Sequence, residues 1–124
     1  MGHSNGAASI TAFYKMLQKN QQESLVAGAI YSSAKNGSNF NDNTKLPILF
    51  LAHEKDGCAV SMPSMSRTVF EQQQKNNPMK TSYVLVKSGE AQAQHVCSSG
   101  FHMFYGAWEE AYGAIDGFVK EVQR

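Results

Sequence analysis

Hydrophobic positions along the chain follow two alternating periods. Ile10, Phe13, Tyr14 and Leu17 recur at i, i+3, i+4 and i+7, which predicts an amphipathic helix from about Ala7 to Lys19. Gln21-Gln22-Glu23 closes it as a polar connection. The nearly continuous apolar run from Leu25 to Tyr31 predicts a strand buried on both faces. From Ser32 to Lys45 the chain is mostly Ser, Asn, Gly and Asp, which predicts a loop with turn chemistry at Asn36-Gly37 and a crossover helix either short or hidden. Leu46 to His53 predicts a second buried strand, with Pro47 at its start, where a missing backbone donor does least harm. After the polar turn Glu54 to Cys58, the stripe Met62, Met65, Ser66, Val69, Phe70 and Gln73 predicts a helix from about Pro63 to Asn76, stopped by Asn77-Pro78. Ser82 to Val86 predicts a third strand, and Lys87 to Tyr105 a loop carrying His95, Cys97 and His102. The clearest helix runs from about Ala107 to Gln123, where Trp108, Ala111, Tyr112, Ile115, Phe118, Val119 and Val122 keep helical spacing.

This near-alternation of helix and strand predicts an α/β fold: a short parallel sheet of about three strands, flanked by helices and joined by right-handed crossovers. Such sheets collect function at the carboxyl ends of their strands. Asp56, Cys58, His95, Cys97 and His102 all fall there.

Composition narrows the classes. The 124 residues allow one domain, and a hydrophobic share of 42% with 17% charged residues suits a globular chain and not a disordered one. A net charge of +1 without a basic run implies no nucleic-acid partner and no anionic membrane. No apolar stretch approaches the roughly 20 residues of a membrane helix. No export signal follows Met1, so the sequence as given reads as cytoplasmic. Cys58 and Cys97 lie in loops after adjacent predicted strands, a placement that allows a disulfide and equally allows two free buried thiols. A bridge would tie the two loops together and imply an oxidising compartment. Cys58, Cys97, His95 and His53 offer zinc-ligand types but no close-spaced pair, so no metal is expected, and no cofactor. Met62, Met65, Met79 and Met103 read as core filling.

The chemistry concentrates on Gly2-His3-Ser4-Asn5-Gly6, a G-x-S-x-G pattern that presents a serine on a sharp turn between strand and helix. Residues without a Cβ on either side let strand and helix approach closely. Downstream come Asp56 and then His102, each after a predicted strand. A serine hydroxyl needs an imidazole to accept its proton, and the imidazole needs a carboxylate to fix its tautomer. The oxyanion needs preorganised donors, of which the Asn5 backbone N–H is the first. Bland readings stand beside these: Asp56 as a turn aspartate bonded to its own backbone, Ser4 as a disordered N-terminal serine in a truncated product. Among the other histidines, His53 reads as structural, His95 as a distant second base, and His3 as a residue lining the site.

On these residues the chain resembles the C-terminal half of an α/β-hydrolase domain. Gly2 to Gly6 is similar to the nucleophile elbow. Leu49 to Asp56 is similar to the strand-then-acid segment, with His53 where many members have glycine. Ser99-Gly100-Phe101-His102-Met103-Phe104 is similar to the histidine loop before the last helix. The resemblance covers residues 1–124 as a single partial domain and implies a Ser4-His102-Asp56 triad acting on small or open-bound esters through an acyl-enzyme. It also implies that the strand leading into the elbow and the loop giving the second oxyanion donor are missing. Leu25 to Tyr31 would then be an exposed apolar edge, so self-association or complementation by an N-terminal half is expected. Such a half bearing a signal would make the protein periplasmic or secreted. The alternative is a catalytically silent fragment acting as an interaction or assembly module.

Overall fold

Once apolar runs are buried, their backbone N–H and C=O groups can pair only with one another, and here they pair as a sheet. A computed structural model describes residues 1–35, 37–38 and 44–124. Its strands are β1 (Gly2–His3), β2 (Ala29–Ser32), β3 (Ile48–His53) and β4 (Thr81–Val86). Its helices are α1 (Asn5–Lys19), α2 (Pro63–Asn76) and α3 (Trp108–Val122), with single 3₁₀ turns at Glu23–Leu25 and Gly100–Met103. The four strands lie in the order β1-β2-β3-β4, all parallel. Ile48 to His53 pair in register with Thr81 to Val86, and Ala29 to Ser32 with Ile48 to Leu51.

Both faces of the sheet are covered. α1 and α2 turn Ala7, Tyr14, Leu17, Val69 and Phe70 onto a core shared with Tyr31, Ile48 and Phe50. The Tyr31 and Phe50 rings stack at 5.2 Å, and Phe70 meets Phe50 edge-on at 6.1 Å. Burial pushes the Tyr31 phenol up, and its hydroxyl is satisfied by Thr11 Oγ1 at 2.5 Å. On a second cluster, Leu51 and Val86 of the sheet meet Phe104, Ala107 and Ala111 at the start of α3. The Glu110 carboxylate pins that helix to the end of β4 by accepting the N–H groups of Lys87 and Ser88 and the Ser88 hydroxyl, which hold its pKa down.

The architecture is the predicted α/β parallel sheet, with four differences in detail. The sheet has four strands and not about three: Gly2 and His3 pair with Tyr31 and Ser32, and two residues carry no readable period. The strand expected over Leu25 to Tyr31 is shifted to Ala29–Ser32, and β1 covers part of its outer edge. Leu25, 72% exposed, sits in a 3₁₀ turn outside the sheet, so it is no part of an apolar strand edge. The final helix forms over Trp108–Val122, yet Trp108 and Tyr112 of its apolar stripe are 51% and 65% exposed. In the polar loop Gly37 takes φ 85°; of the 32–45 interval in which a short or hidden helix is expected, the described residues hold none, and Asn36 and 39–43 lie outside the described residues.

The two glycines of the opening turn differ. A Cβ on Gly2 would lie 2.2 Å from the Gly6 carbonyl oxygen, whereas one on Gly6 would meet nothing within 4 Å. The expected steric need therefore holds at Gly2 and fails at Gly6. Gly2→Ala is expected to destabilise the chain by about 1–3 kcal/mol in urea denaturation, through overpacking against backbone. Gly6→Ala, near the start of α1, is expected to be neutral or to stabilise by up to about 1 kcal/mol.

Candidate functional site

Parallel strands deliver their carboxyl ends to one edge, and three connections meet there. The first is the β1–α1 turn. Ser4 occupies it with φ 53° and ψ −113°, a conformation that costs a non-glycine residue about 1–3 kcal/mol. Its backbone is pinned on both sides: the Ser4 N–H donates to the Ser32 carbonyl at 2.8 Å, and the Ser4 carbonyl accepts the Ala7 N–H at 3.0 Å. Ser4 is partly exposed, and Asn5 opens α1, at the helix end whose backbone N–H groups point outward.

The second connection follows β3. The Asp56 N–H donates to the His53 carbonyl at 3.1 Å, and Asp56 Oδ1 accepts the Cys58 N–H at 2.9 Å. This is the aspartate turn of the bland reading. The same side chain does more, because Oδ2 lies 2.9 Å from His102 Nδ1. The third connection carries His102 on the 3₁₀ turn Gly100–Met103, entered through Gly100 at φ 55°. The Ser33 hydroxyl donates to the His102 carbonyl at 3.1 Å, fixing the turn to the end of β2.

Asp56 and His102 are both buried, with side chains 1% exposed. An ionised carboxylate can only accept, so the proton in this contact belongs to Nδ1, and in the neutral ring Nε2 then carries the lone pair. The Ser4 hydroxyl makes no hydrogen bond to either of them among the described residues; it is the neighbouring His3 whose ring meets the His102 ring edge-on, with centroids 5.0 Å apart. Thus Asp56 and His102 are in direct contact, and His3, the residue before Ser4, lies against the same imidazole. Burial lowers the pKa of His3, nearby His102 lowers it further, and Asp56 opposes both. His3 Nδ1 is 2.9 Å from Ser32 Oγ.

The remaining histidines separate clearly. His53 is a satisfied core residue, donating from Nε2 to the Ser88 carbonyl at 2.5 Å and accepting the Lys55 N–H at Nδ1. His95 is exposed and accepts the Cys97 N–H. Cys58 and Cys97 form a disulfide, with Cα atoms 4.8 Å apart, joining the acid loop to the segment just before the histidine turn. Among the described residues, no group of three or more His, Cys, Asp or Glu side chains is placed to hold a metal ion.

One buried side chain at the site escaped sequence reasoning. Ser61 Oγ lies 3.1 Å from Asp56 Oδ2 and 3.0 Å from His102 Nδ1. Five residues beyond Asp56, it belongs to no spacing that chemistry would flag; only its place just before Pro63, at the start of α2, marks the position as rigid. No protein-family model, no curated protein and no solved structure matches the chain.

Two outcomes follow from this geometry. Reducing the disulfide, whose cysteines are 39 residues apart, is expected to cost about 3–4 kcal/mol, read as a lower urea midpoint in dithiothreitol. His3 binds its proton less readily folded than unfolded, so its share of stability is complete above about pH 6.5 and lost as pH falls below it. The melting temperature of the wild-type chain should therefore drop more steeply below that pH than that of His3→Gln.

Proposed function

We propose that the chain is a serine hydrolase of α/β-hydrolase type that cleaves esters through an acyl-enzyme. The observation that carries this reading is the buried Asp56–His102 hydrogen bond, formed at the sheet end where the strained Ser4 turn lies. In this reading the lone pair on His102 Nε2 takes the Ser4 Oγ proton while Oγ bonds to the ester carbonyl carbon. Asp56 holds the imidazole by Nδ1 and stabilises the imidazolium. The Asn5 N–H donates to the carbonyl oxygen as it becomes an oxyanion. Collapse breaks the bond to the alcohol oxygen, which leaves with the proton from Nε2, and water then releases the acid from Ser4 by the same steps. Ser61 is the poorer nucleophile in this scheme, because it is fully buried and faces the Nδ1 side of the imidazole.

The substrate class is small or open-bound esters, since the interval from Ser4 to Asp56 holds no large lid domain. The disulfide supports an oxidising compartment, periplasmic or secreted, over the cytoplasmic reading. Among the described residues no helix is long and apolar enough to cross a membrane. A second reading, a catalytically silent interaction or assembly module, is favoured by the exposed aromatic residues Phe13, Trp108 and Tyr112. Under that reading a second copy or a complementing N-terminal half would cover them.

A fluorophosphonate probe separates the two readings. Ser4 should be labelled in the folded chain, and His102→Ala should slow labelling by about a hundredfold or more. Hydrolysis of a p-nitrophenyl ester should fall by a similar factor in Asp56→Asn. An unlabelled Ser4, or labelling indifferent to His102→Ala, would overturn the hydrolase reading. An inert dimer in size-exclusion chromatography would favour the module.

A further inference from the structure

We infer that Ser61 is a positioning residue for the Asp56–His102 pair, holding the carboxylate in the orientation that receives the imidazole proton. The inference rests on the hydrolase reading for its catalytic consequence, but its geometry is independent of any substrate.

Hydrogen-bond accounting carries the argument. Ser61 Oγ, Asp56 Oδ2 and His102 Nδ1 form a triangle with edges of 3.1, 3.0 and 2.9 Å. All three side chains are buried, so the triangle must satisfy itself without bulk water. Asp56 can only accept. The Ser61 O–H therefore donates to Oδ2, and the Nδ1–H is shared between Oδ2 and the Ser61 oxygen. The other carboxylate oxygen, Oδ1, is held by the Cys58 N–H at 2.9 Å. With Cys58 N–H on Oδ1 and the Ser61 O–H on Oδ2 the carboxylate plane is fixed, and removing the hydroxyl leaves Oδ2 to the mobile imidazole N–H without the donor that orients it.

Ser61 is itself held. Its N–H donates to the Cys58 carbonyl at 3.0 Å, closing the turn that begins at Asp56. Met62 and Pro63 then lead directly into α2, and proline fixes its own φ at the helix start. The hydroxyl is thus delivered by a turn tied at both ends. An ordinary turn serine would need only the carboxylate contact; the 3.0 Å approach to Nδ1 links this one to the base.

The test compares Ser61→Ala and Ser61→Thr with the wild-type chain in two readouts. Proton NMR of the full chain needs no substrate: a low-field resonance from the His102 Nδ1–H, assigned by its loss in His102→Gln, should be lost or broadened in Ser61→Ala and kept in Ser61→Thr. In p-nitrophenyl acetate hydrolysis, Ser61→Ala should lower kcat roughly tenfold with KM unchanged, Ser61→Thr should recover most of it, and Ser61→Ala should cost nothing further in an Asp56→Asn background. A wild-type spectrum without the resonance, a resonance unaltered in Ser61→Ala, or full additivity with Asp56→Asn would overturn the inference. If Ser61→Ala fails to fold, Ser61→Thr decides: the resonance kept supports the role, and the resonance lost from a folded protein overturns it. If the wild-type chain neither hydrolyses the ester nor labels at Ser4, the hydrolase reading falls while the spectra still decide Ser61.

Discussion

Uniform strand direction is the constraint on which the rest of the structure depends. A parallel sheet cannot close its strands with hairpins, so each connection leaves at one edge and returns by crossing a face. α1 and α2 make the β1–β2 and β3–β4 crossings and bury the Tyr31–Phe50 layer as they do so. The consequence at the other edge is that the Ser4 turn, the Asp56 turn and the histidine turn have to share one surface. Asp56, 46 positions before His102, and the His3 ring beside Ser4, 99 positions before it, reach that imidazole because topology, not sequence proximity, brings them together.

Electrostatics then acts on what topology has assembled. A carboxylate and an imidazole removed from water must satisfy each other, and a pair half satisfied would destabilise the fold. Here each carboxylate oxygen has a donor, and the His102 backbone is separately tied to Ser33. The neighbouring His3 is disfavoured as a cation in the same surroundings. The site therefore distinguishes two imidazoles at close range: one facing an anion, the other desolvated beside it.

Legibility in the sequence follows the length of each periodic signal. The helices were readable because seven or so apolar positions at 3.6-residue spacing leave little ambiguity, as in Trp108 to Val122. Whether that stripe would be covered was not readable, and Trp108 and Tyr112 remain outside. β1 left no trace because two residues cannot show a period, and β2 was misplaced because Leu25 to Gly28 are apolar without pairing in the sheet. At the site, Asp56 and His102 stood out by order and context. Ser61 did not, since a hydroxyl acquires its meaning only from the two atoms it touches in space.

The Cys58–Cys97 bridge spans α2 and β4, the whole of one crossover. Its two sulfurs come together only after the chain has travelled down the helix, back up the strand and into the following loop. The bridge thus clasps the two ends of a helix-and-strand crossover, so that the unit between them cannot unwind without dragging both loops along.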